Sequence, residues 1–127
     1  MIQFLDLKAA YEELSDEITS AVNKVVSSGW YIGGDALTTF EENFARYSGS
    51  DYAIGVANGL DALTLSLRAG GIGNGDEVIV PSNTYIATWL AVSALGALPV
   101  PVEPDEETYN ISIEGIAKNI TSKTKAI

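Results

Sequence analysis

At 127 residues, 46% of them apolar, the chain is large enough for one domain with a core of its own. Seventeen acidic residues against seven basic ones give a net charge of -10, which argues against a nucleic-acid or anionic-membrane surface built from clustered Lys and Arg. The chain has no Cys and no His, so disulfides, thiolate nucleophiles and thiolate metal sites are excluded, no metal site is expected, and proton transfer would fall to a carboxylate, Lys or Tyr.

The opening Met-Ile-Gln-Phe-Leu-Asp-Leu-Lys lacks a basic stretch followed by a long apolar run, so no secretory leader is expected and cytoplasm is the default location. A first helix is predicted from Ala10 to Gly29, because Tyr11, Leu14, Ile18, Ala21, Val22 and Val25 form one stripe. Its acidic face, Glu12, Glu13, Asp16 and Glu17, suits the helix dipole and solvent. Gly29 to Gly34 form a loop carrying Trp30 and Tyr31, rings that either plug a core edge or meet a ligand. Asp35 is predicted to cap the next helix, whose stripe of Leu37, Phe40, Phe44 and Tyr47 ends at Gly49.

Asp51 to Arg68 reads as strand, turn and helix: Tyr52–Val56 is β-branched and apolar, Ala57-Asn58-Gly59 turns, and Leu60, Leu63 and Leu67 recur at helical spacing. At the carboxyl end of a parallel strand, the free N–H groups and dipole of such a helix favour an anion such as a phosphate. The glycines of 69–75 follow a helix and precede the strand Glu77–Val80, the reverse of a dinucleotide-binding fingerprint, so they are predicted to close the helix.

Pro81-Ser82-Asn83-Thr84 ends that strand, and a helix capped by Ser82 or Asn83 is predicted to run to about Gly96. Tyr85 opens this helix at the sheet's carboxyl edge, and Trp89, one turn on, is a core position. Tyr85–Val102 has no charge over 18 positions, but Gly96, Pro99 and Pro101 break it, so it is read as a buried helix and strand, not a membrane span. A strand at Leu98–Val102, an acidic loop from Glu103 to Thr108, a helix near Ser112–Ile120 and the start of a strand at Lys125–Ile127 complete the order. Asn110-Ile111-Ser112 and Asn119-Ile120-Thr121 fit the glycosylation pattern, which carries no weight without a leader. After two introductory helices, β-α-β-α-β-α-β calls for an α/β fold with a mostly parallel sheet and helices on both faces. The last strand is cut after three residues, so the chain is expected to be part of a longer protein.

Several stretches, in order along nearly the whole chain, resemble the DegT/DnrJ/EryC1/StrS family of pyridoxal-phosphate-dependent sugar aminotransferases. They are Phe4-Leu5-Asp6-Leu7-Lys8, Gly29-Trp30-Tyr31-Ile32-Gly33 with Phe40-Glu41, Asn58-Gly59-Leu60-Asp61-Ala62-Leu63, 73–81, Thr84-Tyr85-Ile86-Ala87-Thr88 and 121–127.

The resemblance implies that residues 1–127 are the N-terminal portion of the large domain of a fold-type I, aspartate-aminotransferase-like enzyme, the rest of that domain and a small domain being absent. In that family the turn matching Gly59, Leu60 and Asp61 binds the cofactor phosphate, largely through backbone N–H groups of the positions matching Leu60 and Asp61. Many members carry Thr or Ser where this chain has Leu60, so only main-chain donors carry over. The Asp61 side chain is expected to cap the helix or point away from the ligand. The aromatic matching Tyr85 stacks on the pyridine ring, and Trp30 and Tyr31 match a loop that approaches the sugar.

The Schiff-base Lys and the acidic partner of the pyridinium nitrogen match no position here, so no catalytic residue is assigned and this chain alone is expected to be inactive. The branch most resembled aminates C3 keto groups of dTDP-linked deoxysugars with glutamate as donor, in a homodimer. A non-catalytic binding or dimerisation module, and a sugar dehydratase on the same scaffold, are the alternatives.

Overall fold

In the computed structural model, which describes residues 4–127, helix α1 (Leu7–Glu13) begins at Asp6, whose carboxylate accepts the N–H groups of Lys8 and Ala9. Met1–Gln3, part of the stretch read for a leader, lie outside the described residues. The single helix predicted from Ala10 to Gly29 is two: Leu14 breaks the ladder, and α2 spans Ser15–Ser28. Ser15, Asp16 and Glu17 are a start signal inside the apolar stripe, with two acids placed in a new first turn. Gly29 ends α2 at φ 71°, as its position predicts.

Helix α3 (Asp35–Ser48) starts after Gly34, so Asp35 is its first residue and not its cap; its carboxylate still faces the favourable end of the dipole. Phe40, Phe44 and Tyr47 stack along one face with centroids 5.6 and 6.1 Å apart. Glu41 accepts the N–H of Gly55 at 2.7 Å, tying the following extended segment back to α3. That segment, Tyr52–Val56, is not the predicted strand: Tyr52 and Ile54 are exposed, and none of the described residues pairs with it. Composition made it strand-like, but a strand exists only through a neighbour's ladder.

The chain divides into two units, one ending at Gly55 and one from Val56 to Ile127. The second holds α4 (Gly59–Ala69), β1 (Glu77–Pro81), α5 (Ile86–Ser93), β2 (Leu98–Val102), α6 (Ile113–Asn119) and β3 (Thr124–Ala126). Its sheet is parallel in the order β2-β1-β3, with Glu77 opposite Leu98 and Pro81 opposite Val102. Pro99 and Pro101 are tolerated because β2 is an edge among the described residues and their missing donors alternate with the residues facing β1.

Val78 and Val80 pack with Val92 and Ala97 on one face, backed by Leu67, Ile72, Trp89 and Ala126. Pleat parity puts Ile79 and Val102 on the other face, where Gly115 of α6 meets Val102. Both faces are therefore covered, as the parallel pattern requires. The uncharged 85–102 stretch resolves into α5 and β2, and among the described residues no helix is long and apolar enough to cross a membrane. Gly71 at φ 77° and Gly75 at φ 91° lie between α4 and β1, so the glycine run closes a helix as expected.

Candidate functional site

The turn into α4 is built by Asn58. Its backbone is extended, its carbonyl accepts the N–H of Ala62 at 3.0 Å, and its side-chain Oδ1 accepts the N–H of Asp61 at 2.9 Å. The Asn58 amide also leans on Asp61 Oδ2 at 3.4 Å, so the Asp61 carboxylate stays with its own cap. One of the two N–H groups expected to face a phosphate, that of Asp61, is thus already engaged. Those of Gly59 and Leu60 have no partner among the described residues and remain the open donors at the positive end of α4. The Leu60 carbonyl accepts the Thr64 hydroxyl, and its side chain is half-buried.

Gly59 is a glycine without a left-handed backbone, and a Cβ built on it would meet nothing within 4 Å. What its missing side chain leaves free is space in front of the open donors. Tyr85 lines the same cleft, of about 770 Å³, which Asn58, Gly59, Leu60, Leu63, Ile86 and Thr88 also line. Tyr85 is the residue before α5, with φ -63° and ψ 144°. Neither Ser82 nor Asn83 caps that helix, which begins later than predicted; the Thr84 and Thr88 hydroxyls bond each other at 2.9 Å across its start instead. Tyr85 is 79% exposed among the described residues, whereas Trp89 packs against the core as expected.

Open N–H donors, an exposed aromatic residue and apolar side chains lining one cleft fit a planar group carrying a phosphate. Among the described residues neither a Lys nor a carboxylate lines the cleft, and Asp61 beside it is turned to Asn58, so these residues can bind and orient but supply no nucleophile. Sequence reasoning missed the Asn58 cap, although Asn before an apolar run with an acid three residues on is a helix-start signal.

Trp30 and Tyr31 belong to the first unit. The Trp30 indole N–H donates to the Ile32 carbonyl at 2.8 Å and the Tyr31 hydroxyl to the Val26 carbonyl at 3.1 Å, while both rings remain largely exposed. The Trp30 ring lies over Gly34, where a Cβ would stand 2.9 Å from it, and lines a cleft of about 650 Å³ with Lys24, Asp35 and Thr39; Tyr31 does not line it.

Comparison with known proteins extends these observations. The chain is 61% identical over 127 residues to the dTDP-3-amino-3,6-dideoxy-alpha-D-galactopyranose transaminase of Aneurinibacillus thermoaerophilus, matching all of this chain and 35% of that protein. Among solved structures, DesV of S. venezuelae in complex with a ketimine intermediate superposes with a TM-score of 0.93 at 56% identity, over 97% of this chain and 33% of that one. NtdA of Bacillus subtilis with bound cofactor PMP gives a TM-score of 0.83 at 33% identity, over 88% of this chain and 26% of that one. The chain therefore spans about a third of the length of the first of these relatives. Residues 12–127 match one family over nearly the whole chain, and the fold and the stretches quoted above agree with it: the chain belongs to the DegT/DnrJ/EryC1/StrS aminotransferase family.

Proposed function

We propose that this chain is the N-terminal part of the large domain of a pyridoxal-phosphate-dependent aminotransferase that transfers an amino group, with glutamate as donor, to the C3 keto group of a dTDP-linked deoxysugar. The observation that carries this reading is the shared cleft: the open N–H groups of Gly59 and Leu60 and the exposed ring of Tyr85 line one space. Bound pyridoxal phosphate would supply an electron sink for the carbon losing its proton. Gly59 and Leu60 would hold its phosphate through main-chain donors, Tyr85 would lie against its ring, and Leu63, Ile86 and Leu90 would keep water from that face.

The lysine and acid that complete such a site are assigned to residues outside this chain, so the 127-residue piece is inactive by itself. The working enzyme is a cytoplasmic homodimer in this reading, with Trp30 and Tyr31 approaching the sugar.

The test uses the longer protein that contains this chain. Mixed with pyridoxal phosphate it is expected to bind the cofactor and develop a visible absorption band distinct from that of the free compound. Given glutamate and a dTDP-3-keto-6-deoxyhexose, it should replace the sugar's keto oxygen by an amino group, read by mass. No cofactor binding at any pH would overturn the proposal, and amination at C4 alone would overturn the assigned carbon.

A further inference from the structure

The turn that presents Tyr85 is tied to the helix after it by the Thr84–Thr88 hydroxyl bond at 2.9 Å and by the Thr88 N–H, which donates to the Tyr85 carbonyl at 3.0 Å. The Ser82 N–H continues the sheet by donating to the Val102 carbonyl at 2.8 Å, and the Thr84 N–H reaches the Pro81 carbonyl only at 3.3 Å. Between them the Asn83 amide leaves the turn altogether and donates to the main-chain carbonyl of Tyr109, 26 residues away, at 3.3 Å.

The acceptor sits on a loop held by its own hydrogen bonds. The Asp105 carboxylate accepts the N–H groups of Glu107 and Thr108 and the Thr108 hydroxyl, at 3.2, 2.9 and 3.0 Å. The Asp105 N–H donates to the Asn110 carbonyl and the Tyr109 N–H to the Asp105 carbonyl, while Pro104 and Ile111 form an antiparallel bridge. Tyr109 is held at φ 59°, alone among the described non-glycine residues in the left-handed region. Such a backbone persists only where its surroundings over-determine it, and its carbonyl is thereby fixed in direction.

We propose that Asn83 is a positioning residue for Tyr85: its amide anchors the β1–α5 turn to the loop after β2 and so sets the direction in which the Tyr85 ring leaves the sheet edge. The inference rests on the reading of Tyr85 as the ring that faces the cofactor. Among the described residues Tyr85 is 79% exposed and has little side-chain packing to aim its ring, so within this part of the fold the aim comes from its backbone. Asn83 ties that backbone to a part of the fold outside its own strand and helix.

The test compares Asn83→Asp, Asn83→Ala and Tyr85→Ala in the longer protein loaded with pyridoxal phosphate, reading the cofactor Kd, the circular dichroism of the cofactor band and the melting temperature. Asp has the shape of Asn but no donor for a carbonyl, so a role in packing alone would tolerate it. Asn83→Asp is expected to raise the cofactor Kd about three- to tenfold, the worth of one hydrogen bond, and to change the dichroism with little change in melting. Wild-type Kd and dichroism in Asn83→Asp, beside a weakened Tyr85→Ala, would overturn this inference and leave the reading of Tyr85 standing. An unaffected Tyr85→Ala would overturn both. Should Asn83→Asp fail to fold, Asn83→Ala replaces it and its Kd and dichroism are read in the same way. Unfolding of both would make Asn83 structural and overturn the proposal.

Discussion

The side-chain oxygen of Asn58 accepts the backbone N–H of Asp61 at 2.9 Å, and this bond determines which donors of α4 stay open to an anion. Loss of the cap should destabilise the helix start: Asn58→Ala is expected to cost about 1 kcal/mol, and Asn58→Ser, which restores an acceptor, only a few tenths. Urea unfolding of the two variants checks this. Asn58→Asp separates cap from ligand, because its carboxylate can still cap yet would lie beside Asp61 and any bound phosphate. It should weaken pyridoxal phosphate binding more than either neutral variant, and equal affinity in all three would place the phosphate elsewhere.

Gly59 gives a prediction in which stability and binding move in opposite directions. Its backbone is outside the left-handed region and an added methyl meets no protein atom, so Gly59→Ala should leave the fold unharmed or stabilise it by about 0.5 kcal/mol. The methyl would instead occupy the space before the open N–H groups and is expected to weaken cofactor retention by about tenfold or more. Thermal melting of the cofactor-free protein and equilibrium dialysis with pyridoxal phosphate measure the two effects. A destabilised protein would show that glycine is needed there for another reason, and one that keeps its cofactor would show that the phosphate does not sit before these N–H groups.

What the sequence made legible was local chemistry. Gly29 and Gly49 end their helices in the left-handed conformation, the helix read near Ser112–Ile120 forms as α6, and β2 spans Leu98–Val102 as predicted, because each depends on residues within one turn or strand. The failures lie where distant residues decide. Tyr52–Val56 has strand composition but no neighbour to pair with among the described residues, and the Asn83 link to Tyr109 crosses 26 residues without a sequence signature. The cleft itself is a mixed case. Gly59, Leu60 and Tyr85 do line one space, whereas the choice between the Asp61 and Gly59 donors turned on one Asn58 rotamer.

Asp105 should impart an acid sensitivity to the loop after β2. The Thr108 N–H, then the Thr108 hydroxyl, hold its carboxyl below the usual carboxylate range, with a further contribution from the Glu107 N–H. Since folding lowers this pKa, the ionised form favours the ordered loop. That contribution is complete above the ordinary carboxylate range and is lost as pH falls through the lowered value. Hydrogen exchange at the Thr108 amide should therefore be protected at neutral pH and lose protection only as the pH falls below the ordinary carboxylate range. Asp105→Asn should remove this pH dependence, and a Thr108 amide indifferent to acid in the parent protein would refute the link.

The contact between α6 and the sheet can be tested by the sign of one substitution. In a helix, Gly→Ala ordinarily stabilises by up to about 1 kcal/mol. At Gly115 the new methyl carbon would stand 2.5 Å from Cγ1 of Val102, a side chain only 2% exposed and unable to move aside. Gly115→Ala is thus expected to destabilise by about 1–3 kcal/mol, as overpacking does. Val102→Ala removes the obstructing carbon and should destabilise on its own by leaving a void. Together the added methyl fills part of that void, so the double variant should lose less than the sum of the two by about 1 kcal/mol or more. Denaturant unfolding of the four proteins gives the coupling, and strict additivity would mean that α6 does not rest on β2 through this contact.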